Sequence, residues 1–179
     1  MKKVFFSLIV FSTSLSAQSA SWYSYKDSVN NFCVQFPEKP LVEAKTIGGE
    51  GTNINQSFIF LDYYETGDKS NLYYGIIINE YPAALMNNDS PYFSMGFYKY
   101  SIDGMVNSVN GKILSDKEIS FNNITGHDVK IELDEGALIM NCRFLLIKSR
   151  LYVIGARTKA AQDNNEDIKT FIDSFKMLK

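Results

Sequence analysis

Three kinds of apolar spacing divide this chain. Phe32, Val34 and Phe36 alternate with Cys33 and Gln35, the period-two pattern of a strand with one buried face. Pro37 and Pro40 end that strand, because proline cannot donate to a ladder. A short opening strand is predicted at 22–25, followed by a polar turn from Asp27 to Asn31. Glu43 to Ile47 is a further short strand ahead of the Gly48-Gly49-Glu50-Gly51 turn. Ile54 to Tyr64 reads as a strand through Phe58-Ile59-Phe60-Leu61, and Glu65 to Asn71 as a hairpin loop. In Leu72 to Tyr81 the run Ile76-Ile77-Ile78 does not alternate, which marks a central strand covered on both faces. Pro82 closes it.

From Pro91 to Val109 the period changes. Tyr98, Ile102, Met105, Val106 and Val109 recur at three- and four-residue spacings, so they share one helical stripe. Pro91 suits a first turn and Gly111 a stop. Gly96 and Gly104 each cost about 1 kcal/mol against alanine, so packing must hold this helix. Four strands are then expected in a row, at 112–120, 126–133, 137–148 and 151–158. Asn122-Asn123, Asp134-Glu135-Gly136 and Ser149-Arg150 are short enough turns for antiparallel neighbours. Asp163-Asn164-Asn165 can cap a last helix from about Glu166 to Phe175, with Ile168, Phe171, Ile172 and Phe175 as its apolar stripe. The expected fold class is α+β: a central antiparallel sheet of about six to eight strands flanked by helices, one domain over residues 18–179.

The first seventeen residues follow another rule. Lys2 and Lys3 precede an apolar run from Val4 to Phe11 broken only by Ser7, and a Ser-rich stretch leads to Ala17-Gln18. A charged head, an apolar core of roughly 7–15 residues and small residues at a cut site are the build of a secretory signal peptide. Residues 1–17 are therefore expected to be cleaved between Ala17 and Gln18, leaving an exported, periplasmic or secreted protein. Ser12, Thr13, Ser14 and Ser16 stop the run short of the about 20 apolar residues a membrane span needs. Without Lys2 and Lys3, 16 basic residues face 20 acidic ones. No basic block stands out, so nucleic acid and anionic membrane surfaces are disfavoured partners.

Cys33 and Cys142 are the two cysteines. Export permits a disulfide between them, and closing a loop of about 100 residues would add up to about 4.7 kcal/mol on chain-entropy grounds. The alternative is two unpaired strand thiols acting as small apolar residues.

Three stretches look familiar in this order: Phe32-x-Val34-x-Phe36-Pro37-x-x-Pro40; Gly111 to Ile119 with Gly126-His127-Asp128-Val129; and Arg150 to Ile154 with Phe171 to Phe175. Together they resemble exported bacterial proteins of the Mog1/PsbP-like superfamily. The resemblance implies an α/β/α sandwich around an antiparallel sheet and a mostly non-enzymatic membership. Its photosystem member assists an oxygen-evolving complex, its nuclear-transport member binds a small GTPase, and bacterial members include lipoproteins. This chain departs from the last group, since Gln18 stands where a lipid-anchoring cysteine would follow Leu15-Ser16-Ala17. A shared fold does not carry a function with it.

Reactive chemistry is sparse. His127 is the one histidine, and its neighbour Asp128 points to the opposite face of a strand, so the two cannot form the orienting pair of a hydrolase. One histidine and two distant cysteines do not make a zinc site. Asp62, Glu65 and Asp68 lack the ordered ligands of a calcium loop. Glu80, Glu132 and Asp134 are nominal glycosidase carboxylates, with no spacing that pairs them. Aromatics make up 14% of the chain, clustered at Tyr63-Tyr64, Tyr73-Tyr74 and Tyr92-Phe93. Such rings suit either partner contact or a strand-rich core. Tyr92 and Phe93, at the start of the first helix, are the surface candidates for binding. The expectation is a non-enzymatic exported module that needs no cofactor or metal and binds another envelope protein. The alternative is a carrier of a small apolar ligand held between helix and sheet.

Overall fold

In the computed structural model the described residues are 21–48, 53–65, 69–82, 86 and 91–178, the side chains of 91–95 excepted. The signal segment, Ala17, Gln18 and Asp68 lie outside them.

The alternation at Phe32 does build a strand, but in a sheet of its own. β1 (Tyr23–Asp27) and β2 (Phe32–Phe36) pair antiparallel, and Asp27 closes their turn by accepting from the amides of Val29 and Asn30 at 2.9 and 2.8 Å. The two-residue β10 (Lys176–Met177) pairs on the other side of β2. This second, three-stranded sheet departs from the single sheet expected. Pro37 and Pro40 separate β2 from the next strand, so the chain leaves one layer before it enters the other.

The larger sheet holds β3 (Leu41–Ile47), β4 (Ile54–Asp62), β5 (Asn71–Glu80), β6 (Lys112–Phe121), β7 (Ile124–Leu133), β8 (Leu138–Ile147) and β9 (Arg150–Lys159). Its seven antiparallel strands run β3-β4-β5-β9-β8-β7-β6. The strand with the unbroken isoleucine run, β5, sits third from one edge; Leu72, Tyr74, Ile76 and Ile78 are buried on one face, but Tyr73 and Ile77 on the other are only partly covered, so the double cover expected of the run is incomplete. Asn122 and Asn123 close the β6–β7 hairpin with φ of 50° and 65°, the left-handed pair that asparagine tolerates. β3 begins two residues earlier than the sequence predicts, at Leu41, and all seven of its residues are exposed.

One face of this sheet is sealed. Helix α2 (Glu166–Ser174) starts where the Asn165 carboxamide oxygen accepts from the Ile168 amide at 3.1 Å, and Glu166 and Asp167 favour its positive end. Ile168, Phe171 and Ile172 of α2 join Phe32, Val34 and Phe36 of β2 over Ile59, Tyr74, Ile76, Tyr152 and Ile154 of the large sheet. Polar ties fix the seating. Arg143 grips Asp128 through two bonds of 2.8 and 2.9 Å and reaches Asp173 of α2 at 3.1 Å. Lys130 holds Asp163 at 2.6 Å just before the helix.

The opposite face carries helix α1 (Pro91–Ser108). Tyr98, Ile102 and Val106 are buried on Val129, Ile131, Phe144 and Val153, with Met105 and Val109 partly covered, which is the stripe the sequence predicts. The Tyr98 hydroxyl donates to the Thr125 carbonyl at 2.6 Å and accepts from the Leu146 amide at 2.7 Å. It thereby bridges β7 and β8 just beyond their last paired residues, Gly126 and Leu145.

The Cys33–Cys142 pairing is absent: both thiols are free. Cys33 alternates with the buried residues of β2 and so faces away from the sealed core. Cys142 lies across the large sheet, in the layer beneath α1. The strand order puts a whole sheet between them.

Candidate functional site: a groove beside helix α1

Helix α1 covers β7 and β8 and leaves the middle of the sheet bare. The result is a groove of about 1400 Å³ whose floor includes Ile77, Met140, Leu151 and Val153, and whose wall is the Tyr100–Val109 side of α1. A smaller hollow of about 320 Å³ continues toward β3, between Lys45, Phe58, Phe60 and Tyr73.

Local sequence explains the shape. Gly75 and Gly155 sit opposite each other on β5 and β9, with Cys142 next across the ladder. Side chains are thus missing from the middle of the floor. The Tyr73 ring lies in the space over Gly75, where an added Cβ would meet its hydroxyl at 2.1 Å. That ring stacks on Phe60 with centroids 6.4 Å apart. Burial pushes the Tyr73 hydroxyl up to about 12 and the Cys142 thiol to about 12 as well. Neither group ionises near neutral pH, so neither is a nucleophile or base there.

Arg157 stands on the floor between two tyrosines, its guanidinium 5.1 Å from the Tyr64 ring and 5.7 Å from that of Tyr73. Among the described residues its buried Nε has no hydrogen-bond partner, and its carboxylate contact there, Asp62, is at 3.9 Å. At that distance the ion pair is loose. Around the groove Asp62, Glu65, Asp134 and Glu135 are exposed, giving an acidic rim over an apolar floor. The groove can hold an apolar or aromatic side chain and meet positive charge at its edge.

His127 lies outside the groove. It is not on a sheet edge, because β6 covers β7 there, and its side chain is only 17% exposed. Its Nδ1 sits 2.7 Å from Asp116 Oδ1, and its ring is 4.8 Å from that of Tyr98. Asp128 faces the other way, toward Arg143. With the Tyr98 hydroxyl engaged by two backbone groups, this pair holds no nucleophile. Glu80 is bound to Arg150 at 2.6 Å. Among the described residues no group of three His, Cys, Asp or Glu could hold a metal ion, and no helix is long and apolar enough to cross a membrane.

Tyr92 and Phe93 fall in the first turn of α1, and their side chains are outside the described residues. Of the other aromatic pairs, Tyr64 and Tyr73 reach the groove, whereas Tyr74 enters the sealed core. Arg157 was invisible to sequence reasoning, since a lone arginine in a strand carries no spacing signal. The odd-numbered positions of β5 and β9 could have indicated the floor.

No known protein family matches the sequence, and no curated protein matches it. Among solved structures, cyanobacterial PsbP (CyanoP) from Synechocystis sp. PCC 6803 superposes with a TM-score of 0.58 over 93% of this chain and 98% of its own, at 11% identity. A Pseudomonas aeruginosa protein of unknown function aligns at a TM-score of 0.36 and 12% identity, over 78% of this chain and 84% of its own. The first match shows a PsbP-like fold.

Proposed function

We infer that this chain is a non-catalytic binding module, exported to the cell envelope, that docks a segment of a partner protein in the groove beside α1. The observation that carries the reading is the groove itself: a mainly apolar floor bearing Arg157, with four tyrosines, Tyr64, Tyr73, Tyr81 and Tyr100, under an acidic rim. A partner segment that fits would carry an aromatic or aliphatic side chain next to lysine or arginine. The apolar part supplies burial and the rim supplies steering that weakens with salt. The PsbP-like fold and the mostly non-enzymatic membership that the family resemblance implies support the same reading. The Ala17-Gln18 junction supports export.

The test is capture from envelope extract with the wild type and with Ile77→Lys, which places a charge on the groove floor. A partner retained by the wild type at low salt, lost at high salt and lost with Ile77→Lys is the expected result. No specific partner at any salt, or equal retention by a folded variant, overturns the groove assignment. Export is read separately, as a mature N-terminus at Gln18 in the envelope fraction.

The groove volume favours one second reading, a carrier of a small apolar ligand. Native mass spectrometry of protein taken from its own compartment would then show added mass that Ile77→Lys removes.

A further inference from the structure

The two edges of the large sheet are treated differently. β6 shifts register between Ile113 and Ser115, a bulge that breaks the regular line of backbone groups, and it carries Lys112, Asp116, Lys117 and Glu118. Bulges and charges are how sheet edges avoid unwanted pairing. β3 has no such break. It pairs with β4 at seven consecutive positions, and among the described residues nothing pairs with its other side. Leu41, Val42 and Ile47 are 61%, 58% and 41% exposed there.

We propose that β3 is the docking edge for a second copy of this chain, paired antiparallel about Ala44. The sequence Leu41-Val42-Glu43-Ala44-Lys45-Thr46-Ile47 is complementary to itself in that register. Glu43 of each protomer meets Lys45 of the other, Leu41 meets Ile47, and Val42 meets Thr46. Moving the axis by one residue puts Glu43 against Glu43 or Lys45 against Lys45, which cross-strand pairing disfavours. Charge therefore selects one register, and the two-fold axis makes each favourable pair occur twice. Leu41, Glu43, Lys45 and Ile47 lie on the groove side, since their β4 partners include Phe58 and Phe60 of the small hollow. Such an axis stands perpendicular to the sheet, so the two grooves open on the same side of one fourteen-stranded sheet. Seven paired residues form a small interface, so the dimer is reversible and concentration-dependent.

Sedimentation of the purified protein over a wide concentration range tests this, with Glu43→Lys, Lys45→Glu and the double variant alongside. Each single variant replaces two opposite-charge pairs with two like-charge pairs and weakens dimerisation by roughly 10- to 100-fold. The double variant exchanges the charges, restores complementarity and returns to the parent constant. Thermal melts of the dilute monomers show that all three fold alike, because these residues are exposed. A protein monomeric at every concentration overturns the proposal. So does a dimer indifferent to Glu43→Lys, or a double variant as weak as the singles. An edge that instead captures a strand from another protein, while the chain alone stays monomeric, counts as the first of these.

Discussion

The two faces of the large sheet are built to opposite ends. On one, Phe32, Phe36, Phe171 and Phe175 interlock, with Phe36 and Phe171 centroids 4.9 Å apart and Phe32 and Phe175 5.3 Å apart, and none of these four rings exceeds 1% exposure. On the other, a helix with Gly96 and Gly104 in its body covers part of the surface and leaves the rest open. The first face supplies cohesion from rings and a small second sheet. The second gives up coverage for an accessible floor. Cohesion and accessibility are thus divided by face rather than mixed within one core.

Substitutions sharpen that contrast. Phe171→Ala on the sealed face should cost about 3–5 kcal/mol, because Phe36 and Tyr74, the rings packed on it, cannot collapse into the void. Ile102→Ala beneath α1 should cost about 2 kcal/mol, the low end for its type, since it borders a layer already open to water. Denaturant midpoints at unchanged slope give both values, and equal losses would erase the distinction between faces. Tyr98→Phe leaves the Thr125 carbonyl and the Leu146 amide without their bridge and should cost about 1–2 kcal/mol. Amide exchange at Leu146 should quicken with it.

Gly104→Ala should act in the other direction. An added Cβ meets nothing within 4 Å, so only the helix-propensity gain of up to about 1 kcal/mol remains, read as a higher melting temperature. The smallest effect is a pH dependence. Burial raises the Asp163 carboxyl, but bonds from Lys130 and Asn141 outweigh it and hold the group below its ordinary value of 3.8. A lowered folded pKa stabilises above the unfolded value and is lost as pH falls through the folded one. Asp163→Asn should therefore reduce stability at pH 7 and flatten its decline below pH 3.8. Parallel acid-melting curves for variant and parent would show that Lys130 contributes nothing through charge.

Local order was legible where one physical rule acted alone. The stripe from Tyr98 to Val109 and the cap at Asn165 read directly from spacing and chemistry. So did the turn at Asn122-Asn123. What failed was assignment between layers. Phe32 to Phe36 alternates like any half-buried strand, and nothing local says whether its partner lies in the large sheet or in a small one. The groove was hidden for a related reason. Arg157, Tyr73 and Tyr64 come from three segments and meet only because β5 and β9 are neighbours, a consequence of sheet order that spacing along the chain does not carry. Nor could spacing show that Asp116, from the adjacent hairpin strand, meets His127 at 2.7 Å.

Cys142, buried beneath α1, turns that layer into its own reporter. Its sulfur sits 2.9 Å from where a Cβ on Gly155 would be, and burial keeps it protonated, so alkylating reagents and mild oxidants have no thiolate to attack. Half-buried Cys33 should label first, and the slow second labelling should time the parting of β8 from its neighbours. An oxidising compartment would leave that clock unspent for as long as the strands hold.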